Sequence, residues 1–174
     1  MNSEAEAEFR RFVETRWQHL VRTAVLLTGD QGRAEDLVQQ TLVIVHRKWR
    51  SIEPGATMAY ARAVLANQSA SWWRRRRHPE VLIASPGDEL PGSAQADRDA
   101  MAQIDARDEL LRALATLPPR MRAVIVLRYY DDLSEADTAE ALGISAGSVK
   151  AQASRGLDRL RTALTTLETG ERIR

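Results

Sequence analysis

The sequence predicts an all-α protein of two small helical domains joined by a flexible acidic linker, the second domain containing a helix-turn-helix. Apolar residues recur at three- and four-residue steps along most of the chain, and no stretch shows the alternation of a β-strand. Residues 78–99 show no period and are rich in Pro, Gly, Ser and acidic residues, which is typical of a linker. We therefore expect folded units at residues 1–77 and 100–174.

Composition narrows the class of protein. The chain has 174 residues and no cysteine, which excludes disulfides and thiolate metal sites and fits a reducing cytoplasm. No apolar run approaches the roughly 20 residues of a membrane span, so we expect no membrane insertion. The net charge is only +1, but residues 54–77 carry five basic residues and no acidic residue. A local basic excess is typical of a protein that binds a polyanion at one surface.

The sequence lacks the motifs of catalysis and cofactor binding. His19, His46 and His78 lie on separate elements without metal-binding spacing, and there is no glycine-rich nucleotide loop and no nucleophile elbow. The acidic residues lie where solvated helix faces are expected. We therefore expect a protein that is not an enzyme and has no cofactor or metal ion.

Apolar periodicity predicts the first two helices. The first covers about 20 residues, and its inward face consists of Phe9, Phe12, Val13, Trp17, Leu20, Ala24 and Leu27. After a break at residues 28–32, the second helix has an inward face of Ala34, Leu37, Val38, Thr41, Leu42 and Val45. A different arc of the second helix carries Asp36, Gln39, Gln40, Val43 and Arg47. This arc is either a solvated face with one stray valine or a surface that binds a protein partner.

The third helix is predicted from about Thr57 to Arg77, and its end is the most basic part of the chain. Trp72 and Trp73 are followed directly by four arginines, residues 74–77. Arginines neutralise phosphates and aromatic rings stack on unpaired bases, so this run favours contact with nucleic acid. Alternatively, the tryptophans close the core and the arginines solubilise a helix end, where cations are favoured.

The second unit starts with two predicted helices, from about Arg98 to Thr116 and from Met121 to Tyr130, separated by a turn at residues 117–120. Two capped helices follow. Ser134 can cap a short helix that ends at Gly143, and Ser145 can cap a longer helix that runs to Leu160. Two helices joined by a tight glycine turn are typical of a helix-turn-helix, although an ordinary helical hairpin has the same pattern.

In this helix pair, the acidic residues lie mainly on the first helix and its approach, and the basic residues lie on the second helix. The approach and the first helix carry Asp131, Asp132, Glu135, Asp137 and Glu140, whereas the second helix carries Lys150, Arg155, Arg159 and Arg161. The apolar residues of the second helix recur at helical spacing and form an inward stripe: Val149, Ala153, Leu157, Leu160 and Leu164. The residues that then face outward are Ala146, Gly147, Ser148, Lys150, Ala151, Ser154 and Arg155. Small residues at the start of the helix permit close approach to base edges, and the cations can reach bases or phosphates. The acidic first helix should face solvent or protein.

In this order and spacing, the motifs resemble the extracytoplasmic-function (group 4) sigma factors of bacterial RNA polymerase, most of all the compact actinobacterial members. The resemblance covers nearly the whole chain. It is carried by residues 28–30 and 34–42, by Tyr60, Asn67 and residues 72–77, and by residues 117–120, 124–128 and 142–150.

The resemblance implies a separate role for each part of the chain. Residues 1–77 would be sigma domain 2, residues 78–99 a linker and residues 100–174 sigma domain 4. The protein would bind core RNA polymerase at the β′ coiled coil and at the β flap. The residues that contact the β′ coiled coil would be Asp36, Gln39, Gln40 and Val43. The −10 element would be opened and bound by Trp49, Tyr60, Arg62, Asn67, Trp73 and Arg74. The −35 element would be bound by Gly147, Ser148, Lys150, Ala151, Ser154 and Arg155, with Arg128 as a phosphate anchor.

Two positions depart from the family's pattern. Many members have Arg where this chain has Ala63, and Arg62 is the candidate substitute from a neighbouring arc. Ala151 and Ser154 are smaller than usual, so discrimination at −35 would depend more on backbone shape and on Arg155.

The implied function is promoter recognition and transcription initiation in the cytoplasm. A stand-alone helix-turn-helix transcriptional regulator is the first alternative, and an adaptor that binds protein partners through both units is the second. Helix faces that suit polymerase also suit an anti-sigma factor, so composition does not separate these two partners.

Overall fold

The computed structural model describes residues 3–77 and 98–171, with side chains described for residues 3–72 and 105–166. Its helices are α1 (Ser3–Thr28), α2 (Gln31–Lys48), α3 (Thr57–Arg77), α4 (Arg98–Ala115), α5 (Pro119–Ile125), α6 (Glu135–Leu142) and α7 (Ala146–Glu171). The described residues contain no β-strand, which confirms the all-α prediction. Most of the predicted linker, residues 78–97, lies outside the described residues, and Arg98 already belongs to α4.

Helices α1 to α3 form the first unit. Gly29 turns the chain with a φ of +77°, and the carboxylate of Asp30 then caps α2 by accepting a hydrogen bond from the Arg33 backbone N–H at 2.8 Å. The predicted inward faces of α1 and α2 are confirmed, since their central residues are buried: Leu20, Ala24, Leu27, Ala34, Leu37, Val38, Thr41, Leu42 and Val45. On α3, Ala61 and Leu65 are buried as well. Helix α1 begins earlier than its apolar period indicated, because its first turn is polar and carries Glu4 and Glu6.

Helices α4 to α7 form the second unit. The helix predicted from Met121 to Tyr130 is α5 followed without a break by a π-helical turn, Val126–Tyr130. The Asp131 backbone N–H donates to the Val126 carbonyl at 3.1 Å and closes this wide turn. Asp132 then adopts a φ of 53°, in the left-handed region. The wide turn ends α5 with Asp131 buried, although the sequence showed it only as one of several acidic residues in the approach to the next helix.

The predicted capping of the helix-turn-helix is confirmed. The Ser134 hydroxyl accepts a hydrogen bond from the Asp137 backbone N–H at 3.0 Å, and Gly143 ends α6 with a φ of +62°. Ser145 accepts a hydrogen bond from the backbone N–H of Ser148 at 3.1 Å and so begins α7. Val149, Ala153 and Leu160 on the predicted inward stripe are buried.

The two units share one apolar core. Ala123, Val126 and Leu127 of the second unit belong to the same buried cluster as the inward residues of α1, α2 and α3. The helix periodicity showed which faces are apolar but not that the two units cover each other. The described parts of the units are therefore packed together rather than separated.

Arg122 is the main polar group in this shared core. Its guanidinium donates hydrogen bonds to the carbonyls of Leu27 at 2.9 Å, Ala115 at 3.1 Å and Leu117 at 3.2 Å. Leu27 and Ala115 lie in the last turns of α1 and α4, where carbonyls have no partner within the helix. Burial lowers the pKa of the Arg122 guanidinium, since the charged form loses its hydration. One buried cation thus caps two helices and joins the two units.

Replacing Arg122 tests this role. We expect Arg122→Met to lower the free energy of unfolding by about 3 kcal/mol, because three carbonyls lose their donor and two of these hydrogen bonds are buried. Urea denaturation followed by circular dichroism measures the change. Arg161→Met is the matched control, since Arg161 is 74% exposed and pairs with Asp158 in an exposed bridge, so its loss should cost less than about 1 kcal/mol. Equal losses for the two variants would contradict the role of Arg122.

Candidate nucleic-acid and polymerase interfaces

The polar arc that was predicted for the second helix lies on the exposed face of α2. Asp36, Gln39, Gln40 and Val43 are all exposed, and they lie at positions i, i+3, i+4 and i+7 of one face. Val43 is 50% exposed, which leaves an apolar side chain among polar ones. The opposite face of α2 is buried in the core. This exposed face therefore combines hydrogen-bonding groups with one exposed apolar side chain.

The segment between α2 and α3 is held by Trp49. The Trp49 ring packs edge-on against Phe9, with ring centres 5.2 Å apart, and also contacts Phe12 at 5.7 Å. Trp49 is partly buried by these contacts. Residues 53–55 beyond it are exposed, and Gly55 has a φ of +87° that turns the chain toward α3. Trp49 anchors an exposed loop at the start of the candidate −10 surface.

On α3, the three candidate −10 residues with described side chains differ in their surroundings. Tyr60 is partly buried against the core of the first unit. The Arg62 Nε atom lies 3.3 Å from Asp131 Oδ2, and the Asn67 side-chain amide donates to the Ala141 carbonyl at 2.8 Å. Both partners belong to the second unit. Arg62 and Asn67 are thus brought together with α6 and the π-helical turn.

The basic end of α3 is only partly described. The side chains of Trp73 and Arg74 lie outside the described residues. Trp72 is half-buried, and the guanidinium of Arg33 lies over its ring at 5.2 Å from the centre. A cleft of about 450 Å³ between α2 and α3 is lined by Trp72, Asn67, Asp36 and Gln40 among others. It connects the candidate polymerase face with the candidate −10 face.

The candidate −35 residues of α7 form one continuous exposed face. Gly147, Ser148, Lys150, Ala151, Ser154 and Arg155 are all exposed, whereas Val149 and Ala153 on the opposite side are buried. The Arg155 Nε donates to the Ala151 carbonyl at 3.1 Å and leaves the rest of the guanidinium facing out. A helix with this division of faces can lie in a major groove while staying packed on its own domain.

Arg128 lies apart from this face. It is partly buried in the π-helical turn, where its guanidinium donates to the Leu133 carbonyl and lies 5.8 Å from the centre of the Tyr129 ring. Its predicted role as a phosphate anchor would require this contact to change.

Sequence reasoning missed a polar cluster between the units. We call Asp131, His19, Thr23 and Arg62 the Asp131 cluster. The carboxylate of Asp131 has no solvent exposure, and it contacts His19 Nε2 at 2.7 Å and the Thr23 hydroxyl at 3.1 Å. One feature of the sequence could have pointed to it: Thr23 is a polar residue at a position that fits the inward stripe of α1.

Comparison with known proteins identifies the chain. The family profile described as sigma-70 region 2 matches residues 12–78, and the profile described as sigma-70, region 4 matches residues 107–172. The RNA polymerase sigma-E factor of Streptomyces coelicolor is 39% identical over 166 residues, which cover 95% of this chain and 90% of that protein. The ECF RNA polymerase sigma factor SigM of Mycobacterium tuberculosis is 30% identical over 159 residues, covering 90% and 77%. The chain is an extracytoplasmic-function sigma factor.

A solved structure resembles this sigma factor over most of its length. The sigma factor RpoE of Bartonella quintana, crystallised with the anti-sigma factor NepR, matches with a TM-score of 0.68 and 27% identity, covering 91% of this chain and 97% of that one. Like the rest of its family, this sigma factor binds core RNA polymerase and promoter DNA in promoter recognition.

In the described parts of the sigma factor, no helix is long and apolar enough to cross a membrane. No group of three or more His, Cys, Asp or Glu side chains there could hold a metal ion.

The start of α7 offers a test of how the exposed face is held. We expect Ser145→Ala to lower the free energy of unfolding by about 1 kcal/mol, because the Ser148 backbone N–H loses its cap. Hydrogen exchange at the first turn of α7 should become faster. Ser154→Ala is the control, since mid-helix alanine is the better helix former and no cap is lost. Unchanged exchange in Ser145→Ala would show that the hydroxyl does not fix the start of the helix.

Proposed function

We propose that the sigma factor divides promoter recognition between its two units, with residues 1–77 as domain 2, residues 78–99 as the linker and residues 100–174 as domain 4. The observation that carries the proposal is the exposed face of α7. The six residues implied by the resemblance lie together there, and the opposite face of the helix is buried. The proposed role is not catalytic, and it places the protein in the cytoplasm with RNA polymerase.

Domain 4 reads the −35 duplex with α7. Gly147, Ser148 and Ala151 let the helix backbone approach base edges, because they have small side chains. Lys150 and Arg155 supply the positive charge, and Ser154 a hydroxyl, at the same surface. Arg128 anchors a phosphate after it leaves the Leu133 carbonyl. The acidic residues of α6 are kept away from the phosphates.

Domain 2 opens and holds the −10 element. Unstacking a base costs a few kcal/mol, which stacking on aromatic rings offsets by about 1–3 kcal/mol per base. Tyr60 and Trp73 supply rings for this purpose, and Trp49 fixes the loop that precedes α3 through its contacts with Phe9 and Phe12. Arg62, Asn67 and Arg74 bind phosphates or base edges of the separated strand.

Polymerase docks on the exposed face of α2. Asp36, Gln39, Gln40 and Val43 contact the β′ coiled coil, and domain 4 contacts the β flap. An anti-sigma factor is a further proposed partner, since the B. quintana relative was crystallised with one. The exposed valine on α2 supports a protein partner on that face, because it gains free energy when a partner covers it.

Run-off transcription tests the proposal. We expect core RNA polymerase from the same organism to transcribe a promoter library only when this protein is added. Val43→Asp should reduce transcription strongly, because a charge would be buried against polymerase without a partner. Val43→Met is the control and should retain transcription. Transcription unaffected by the protein would overturn the proposal.

A second test concerns α7. We expect Arg155→Ala to weaken binding to the −35 duplex by about 1–3 kcal/mol if Arg155 reads a base, with relaxed discrimination at one position. Lys150→Ala should weaken binding uniformly and reduce the salt slope by about one if it contacts a phosphate. Fluorescence anisotropy of holoenzyme on labelled −35 duplexes, at several salt concentrations, measures both. Arg161→Ala is the control, because Arg161 lies outside the proposed face. An Arg155 variant with unchanged affinity and discrimination would contradict its role.

A further inference from the structure

Four rings meet where the start of α1 lies beside the end of α2. We call Phe9, Phe12, His46 and Trp49 the Phe9 cluster. Each helix contributes two rings that are three residues apart and therefore lie on one face of that helix. The Phe9 ring contacts His46 edge-on, with ring centres 4.8 Å apart, and contacts Trp49 edge-on at 5.2 Å. Phe9 thus packs against both rings of the other helix.

The loop before α3, residues 50–56, directly follows this cluster. Its first hydrogen bonds are local, since the Ile52 backbone N–H and the Ser51 hydroxyl both donate to the Lys48 carbonyl, at 3.2 Å and 2.9 Å. Residues 53–55 are exposed. The side chains that pack the start of the loop against the core are Trp49 and Ile52. The position of the loop relative to α1 therefore depends on the Trp49 ring and on the rings that hold it.

The position of this loop matters for the proposed opening of the −10 element. A loop that captures an unpaired base must be ordered when the base leaves the duplex, and ordering it only then costs conformational entropy. Fixing the loop beforehand removes this cost from the binding step. The proposed function gives Trp49 a role next to the DNA, whereas Phe9 and His46 have no assigned role. Their contacts nevertheless lead directly to the Trp49 ring.

We propose that Phe9 and His46 are positioning residues for promoter opening, which act through Trp49 to hold the loop before α3 ready to capture an unpaired base. The inference rests on the proposed function of residues 1–77 and adds the first turns of α1 to the parts that serve it. Neither side chain needs to touch DNA. Their loss therefore slows opening but has little effect once the bases are already unpaired.

The test compares two templates with holoenzyme that contains the full-length protein. One template is an intact promoter duplex that is transcribed in the run-off assay. The other is the same promoter with mismatched bases that keep the −10 element open. The rate of run-off product formation is measured on both at saturating holoenzyme. Opening of the intact duplex is followed in parallel by the fluorescence of a 2-aminopurine base in the −10 element.

Four variants separate positioning from general structure. Phe9→Leu keeps an apolar side chain and removes the ring, whereas Phe9→Tyr keeps the ring. His46→Ala removes the neighbouring ring at an exposed position, so it tests the proposal even where Phe9→Leu does not fold. Trp17→Leu is the matched control, because it replaces another partly buried ring of α1, about two turns further along the helix. Circular dichroism verifies that each variant is folded.

The loss of an edge-on ring pair sets the expected size of the effect. We expect Phe9→Leu to slow opening of the intact promoter about fivefold and His46→Ala about twofold. On the open template both variants should match the wild type. Phe9→Tyr should restore the opening rate, and Trp17→Leu should leave the ratio of the rates on the two templates unchanged.

Two results would overturn the inference. Opening of the intact promoter at the wild-type rate by Phe9→Leu and His46→Ala would show that the cluster does not position the loop. An equal loss on both templates would show that the rings serve only the general structure. Wild-type protein that supports transcription from neither template would instead contradict the proposed function, so the two failures are distinguishable.

Discussion

The carboxylate of Asp131 has no contact with water, so its charge must be balanced by neighbouring side chains. The balance comes from His19, Thr23 and Arg62, which lie more than 60 residues away in the other unit. The π-helical turn and the left-handed backbone of Asp132 bury this carboxylate at the end of α5. The shared apolar core and Arg122, which caps α1 from the second unit, extend the same contact. The relative position of the two units in this structure depends on these groups together.

The two units of the chain carry different kinds of exposed surface. The first unit combines an exposed polar face on α2 with an aromatic and basic α3, and the second unit presents a small-residue face on α7. A recognition helix with small side chains gains little affinity by itself, so in the proposed function it acts as one of two weak contacts. Binding through two linked sites multiplies affinities when both sites are reached together.

Much of the fold could be predicted from the sequence because it depends on local physics. The periods of apolar residues gave the helices and their buried faces, and Ser134, Gly143 and Ser145 gave the caps of the helix-turn-helix. The exposure of the α2 and α7 faces followed from the same periods. The contact between the units could not be predicted, because periodicity shows that a face is apolar but not what covers it. Asp131 was grouped with the other acidic residues before α6 for this reason, and its partner His19 lies 112 residues away. The roles of single residues at DNA remain predictions.

The central claim is that the Asp131 cluster holds the two units in contact. The most direct measurement is the distance distribution between spin labels on α1 and α6, obtained by double electron–electron resonance. It is recorded for the wild type and for Asp131→Ala. The account predicts one short, narrow distribution for the wild type and a longer, broader distribution for Asp131→Ala. An unchanged distribution in Asp131→Ala, or a long and broad distribution in the wild type, would contradict it.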